Sequence, residues 1–109
     1  MQFNEIRKEL EDVVFDNLRI DRHNYFEAVI VKNELAKLTA SIERLFGSPA
    51  WPSQSRLLLQ VQEIIKDFGG IRSGQTFYFW SQGKDTIFTM LWPWEDGYHT
   101  TVKIIRKEE

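Results

Sequence analysis

Residues 76–106 read TFYFWSQGKDTIFTMLWPWEDGYHTTVKIIR, and the fold turns on how this stretch is folded back on itself. It holds Trp80, Trp92 and Trp94, three of the four tryptophans, and is crowded with the aromatic and β-branched residues that favour strands. Gly83 and Gly97 break it at two points where tight hairpins call for a positive φ. The stretch therefore reads as a meander of three antiparallel strands.

The first turn sets a register. Gln82-Gly83-Lys84-Asp85 suits a two-residue connection with glycine at its first central position. Gln82 then faces Asp85, Trp80 faces Ile87, Phe79 faces Phe88 and Phe77 faces Met90. Opposed residues share a face, so Phe77, Phe79, Phe88, Met90 and Trp92 fall together. Thr76, Tyr78, Trp80, Ile87, Thr89 and Leu91 fall on the other side.

The second turn admits two registers. A two-residue turn at Asp96-Gly97 sets Lys103 beside Met90 on the phenylalanine face. A three-residue turn, Glu95-Asp96-Gly97, sets Val102 there instead, with His99, Thr101 and Lys103 on the Trp80 face. Burying an unpaired lysine is costly and a one-residue slip reverses every side chain, so the three-residue turn is favoured. Helices are then expected over the Phe77 face, leaving Tyr78, Trp80, Leu91, His99 and Lys103 as a face for a partner or ligand.

Working outward, Phe3, Ile6, Leu10, Val13 and Val14 recur at spacings of three and four between charged residues, predicting a helix over about 2–15. Residues 17–32 have two readings. Asn24 and Glu27 fit a capping box at the head of a long helix. Against that, Val29-Ile30-Val31 are stiff at χ1 and mildly helix-averse, which favours a hairpin with its turn at Arg22-His23-Asn24 and a strand over 25–31. Leu35, Leu38, Ile42, Leu45 and Phe46 mark the next helix, with Asn33 as its N-cap and Gly47 and Pro49 as its stop. A third helix is expected over about 54–68, ended by Gly69-Gly70.

The chain of 109 residues is expected to be one domain over 1–109, long enough for a core without staples. Its predicted class is α+β: two layers, with a largely antiparallel sheet made of the C-terminal meander and an N-terminal hairpin, and about three helices packed on one face. The absence of cysteine excludes disulfides and thiolate chemistry and suits a reducing compartment. The N-terminus lacks a signal peptide's apolar run and no stretch reaches membrane-spanning length, so a cytoplasmic location is expected. A net charge of −2, from 14 basic and 16 acidic side chains, gives no global attraction to nucleic acid or anionic lipid.

Catalytic signals are weak. His23 and His99 are the only histidines, and neither stands in a metal-binding spacing. Residues 69–74 share the G-x-x-x-x-G spacing of a phosphate loop, but Gln75 and Thr76 stand where lysine and a hydroxyl belong, and the loop leads from helix to strand. Tyr78 and Trp80 are like, in kind only, the platforms on which sheets stack RNA bases; the basic-aromatic motif of that class is missing. No catalytic residue, metal or cofactor is assigned. The expected role is a non-enzymatic binding or assembly module, as a homodimer or with a protein partner, through Tyr78, Trp80, Leu91, His99 and Lys103. The alternative is a small-ligand-binding protein or small enzyme with a pocket among Trp51, Arg72, Trp92 and Trp94.

Overall fold

The structure is a computed structural model, and it describes residues 2–47, 66, 75–83 and 85–108. The predicted third helix, Trp51, Arg72 and the 69–74 loop lie outside the described residues. The order of elements is α1 (Phe3–Glu9), β1 (Asn17–Asp21), β2 (Tyr25–Val31), α2 (Lys32–Phe46), β3 (Thr76–Gln82), β4 (Asp85–Pro93) and β5 (His99–Glu108). All the described strands join one antiparallel sheet in the order β1-β2-β5-β4-β3. The fold is thus α+β, as the sequence implied, and β5 is its central strand.

Residues 17–31 form the hairpin, with the second strand beginning at Tyr25. The long-helix reading fails because Val29-Ile30-Val31 pair along their length with 99–101 of β5. That pairing also corrects the start of α2. Val31 is held extended by its partner His99 and serves as N-cap, so the helix starts at Lys32 and Asn33 lies inside it. It stops at Gly47, whose φ of 79° is readily open only to glycine.

The first helix is shorter than its apolar stripe. It ends at Glu9, and Leu10 and Val13 stay buried in tight turns that follow. The reason lies in what the chain meets next. The Val14 amide donates to Glu34 Oε1 at 3.0 Å and the Asp16 amide to the Val29 carbonyl at 2.8 Å, drawing the backbone out of the helix and into the sheet. Glu9 is tied to Arg44 of α2 at 2.6 Å.

The β3–β4 hairpin has the expected register throughout, Gln82 facing Asp85 and Phe77 facing Met90, with Gly83 at φ 61°. The β4–β5 register does not. Met90 faces Lys103 and Leu91 faces Val102, the pairing of the two-residue Asp96-Gly97 alternative, so the three-residue turn is overturned. Its premise was an unpaired lysine. In the fold β2 brings Glu27 opposite Lys103, with the ammonium 3.9 Å from the Glu27 carboxylate and 4.1 Å from the Trp92 ring centre. A lysine so paired and stacked is tolerated on an apolar face.

The covering of the sheet is also reversed. Phe3, Ile6 and Leu10 near α1 and Leu38 and Ile42 of α2 share one core with Phe26, Ile30, Tyr78, Ile87, Leu91 and Ile104. Both described helices thus sit on the Tyr78 face, not the Phe77 face. The Phe77 face is withdrawn from solvent as well, since Val29, Phe77, Phe88, Met90 and Ile105 are buried.

Candidate functional site

This reversal redistributes the residues singled out from the sequence. Tyr78 and Leu91 are only 1% and 5% exposed, inside the helix-covered core. Burial pushes the Tyr78 hydroxyl up to about 12, with the Glu43 charge adding to the effect. Trp80 packs half-buried against the same core. Lys103 and His99 stand on the opposite face, Lys103 facing Met90 and His99 stacked on Trp94. The five do not form one surface. Trp92 and Trp94, assigned from the sequence to a separate pocket, are the residues that His99 and Lys103 in fact join.

The arrangement at this end follows from the turn. Pro93, which cannot donate to a ladder, closes β4 opposite Thr100. Beyond it the Trp94 amide donates to the His99 carbonyl at 2.8 Å and the Gly97 amide to the Trp94 carbonyl at 3.3 Å. Gly97 takes φ 68°. The folded-back loop lets Asp96 cap its own turn, as short acidic side chains do. Its Oδ1 accepts from the Tyr98 amide at 2.9 Å and the His99 amide at 3.0 Å, and its Oδ2 accepts from His99 Nδ1 at 2.6 Å. The His99 bonds, backbone first, and then that from Tyr98 hold the Asp96 carboxyl down at about 2.

His99 is consequently fixed on several sides. Its Nε2 lies 3.6 Å from Asp16 Oδ2, its ring stacks on Trp94 at 4.8 Å between centres, and Tyr98 meets it edge-on at 5.0 Å. Trp94 is fixed in turn. Its indole Nε1 donates to Thr101 Oγ1 at 2.8 Å, and the Arg19 guanidinium lies 5.8 Å from its ring centre. Arg19 comes within reach because the β1–β2 register shifts between Leu18 and Ile20, leaving it as the extra residue of a bulge. Trp94 is nonetheless 38% exposed and Tyr98 46%.

From this end a line of paired groups continues up the sheet. Arg19 lies 3.7 Å from Glu27, which meets Lys103 and accepts from the Tyr25 hydroxyl at 2.9 Å. Burial, reinforced by Glu27, pushes that hydroxyl up to about 12. Sequence reasoning named His99 but missed Asp16, Arg19 and Glu27. Those three come from the distant β1–β2 region; what the sequence did offer was the Glu95-Asp96-Gly97 turn just before His99, which sets a carboxylate within reach of the imidazole.

The His99 ring thus has a carboxylate near each nitrogen, Asp96 at Nδ1 and Asp16 at Nε2, and these fix its orientation. No group of three or more His, Asp or Glu able to hold a metal is found among the described residues. No described helix is long and apolar enough to cross a membrane. No family model, curated protein or solved structure matches the chain.

Proposed function

We propose that the chain is a non-enzymatic binding or assembly module whose contact surface is the Trp94 end of the sheet, and that it pairs there with a second copy of itself. The observation that carries this reading is Trp94, which is clamped on several sides yet leaves more than a third of its surface to solvent. An aromatic anchor already fixed in place loses little freedom on binding, and Trp, Tyr and Arg are the residue types that dominate interface energetics. The patch carries both signs of charge, Arg19 against Asp16 and Asp96. A two-fold copy can set each Arg19 against the other chain's acids. The reading goes with a single domain over 1–109, a third helix over 54–68 and a cytoplasmic location.

Light scattering on the intact chain tests it. A mass near twice 13.0 kDa is expected, with Trp94→Glu giving a folded monomer. A wild-type chain that stays monomeric at high concentration removes the reading.

A second reading rests on Trp92, whose indole Nε1 is buried with no acceptor among the described residues. A small ligand offering a carbonyl beside the Trp92-Pro93-Trp94 turn would satisfy it, with Trp51 and Arg72 as the expected remaining wall. Tryptophan fluorescence that shifts on titration with metabolites in the wild type but not in Arg72→Ala would favour this reading over the dimer.

A further inference from the structure

At the opposite end of β5, the β1–β2 turn is tied down by its backbone. The Arg22 amide donates to the Tyr25 carbonyl at 2.8 Å and the Arg106 amide to the Asn24 carbonyl at 3.0 Å. These bonds bring together cations far apart in the chain. Arg7, Arg22, His23 and Arg106 line one cleft of about 490 Å³. Arg22 and Arg106 recur in a second of about 450 Å³ with Lys107. A third, of about 340 Å³, is lined by His23, Asn24, Arg106 and Lys107. Four permanent cations thus border adjoining clefts in a chain of net charge −2. The concentration of charge is local.

Among the described residues Asp21 is the one carboxylate lining these clefts, and Arg7 already grips it through both terminal nitrogens, Nη2 to Oδ2 at 2.9 Å. Arg106 reaches Asp85 at 3.2 Å. Arg22 and Lys107 have no ion-pair partner among the described residues. Two unmatched cations about a common mouth, with a guanidinium fork among them, suit a dianionic oxyanion better than a single carboxylate. The 450 Å³ cleft adds Ile20, Tyr25 and Ile105 as a partly apolar wall, and its volume is that of a small-molecule site. A nucleic-acid track would instead need a basic stripe running along the surface.

We infer that this end of the sheet binds a phosphorylated small molecule, its phosphate between Arg22 and Lys107 and its body against Tyr25 and Ile105. The inference does not depend on the Trp94 surface. Its test is an amide-shift titration of the full chain with glycerol 3-phosphate, alongside inorganic phosphate and, at matched ionic strength, sodium chloride. Saturable shifts centred on Arg22, Asn24, Arg106 and Lys107 are expected with the monoester. They should weaken roughly tenfold or more in an Arg22→Ala/Lys107→Ala double variant, as the loss of charged hydrogen bonds implies. Lys37→Ala, which lies outside the clefts, should bind as the wild type does. Thermal unfolding of the double variant, unchanged without ligand, shows that the fold is intact. Shifts that fail to saturate, that sodium chloride reproduces, or that survive in the double variant overturn the inference. So does binding confined to a polyanion such as heparin.

Discussion

His99 and Arg106, towards the two ends of β5, lie roughly 23 Å apart at about 3.3 Å per residue, and the two ends treat their polar side chains in opposite ways. At the His99 end each group is held by another. Asp96 caps its own turn and orients His99, while Thr101, His99 and Arg19 fix Trp94. At the Arg106 end the backbone is just as firmly tied, yet Arg22 and Lys107 face open clefts. One end offers an aromatic surface already organised, and the other offers charge still unmatched. A single rigid strand can therefore present two chemistries, because its middle is buried in the core and isolates one end from the other.

The severest way to break this comparison is to loosen that middle. Ile104, fully buried between Phe26 and Thr89 in the ladder, should cost about 2–5 kcal/mol on Ile104→Ala, the usual range for such cavities, read by chemical denaturation. Amide exchange should then quicken at both ends together. If only one end loses protection, β5 does not act as a single rod.

A smaller effect sharpens the clamped end. Asp96 is held at about 2 against an ordinary 3.8. A depressed carboxyl contributes stability that is fully present above its ordinary value and is lost as the pH falls through its folded value. Between about pH 4 and pH 2 the Tyr98 and His99 amides should lose exchange protection before the rest of the sheet. A carboxyl that titrates near 3.8 would show that the turn is not capped in solution.

The smallest effect belongs to the open end. Arg22→Ala should change stability by no more than about 0.5 kcal/mol, as exposed substitutions usually do, measured by thermal unfolding. A larger loss would mean that the side chain holds the turn and is not left over for a ligand.

How far these features were legible follows the sequence distance over which each is decided. The β3–β4 register was readable because Gln82, Gly83 and Asp85 settle it within a few residues. The strand over 25–31 was readable from three adjacent β-branched residues, and the end of α2 from Gly47. The β4–β5 register was missed because Lys103's partner, Glu27, belongs to a distant hairpin. Alternation separated the two faces of the β3–β4 hairpin correctly, but the wrong turn set His99, Thr101 and Lys103 on the Trp80 face, and nothing local told which face α1 and α2 would cover. The site was legible in the same measure. Trp94 and His99 were both noticed but assigned to different surfaces, since it is the register that stacks one on the other. Arg22 and His23 read as an ordinary polar turn because Arg106, which makes the turn a cleft, arrives with the last strand.

The bulge at Arg19 reaches beyond the site it serves. β1 is an outer strand of the sheet, and a regular outer strand offers unpaired amides and carbonyls that can template another chain. Five residues long and broken in the middle, β1 makes a poor template. The extra residue that brings a guanidinium near Trp94 thus also guards against fibrillation. Deleting it would straighten the edge and leave a protein prone to grow by strand addition.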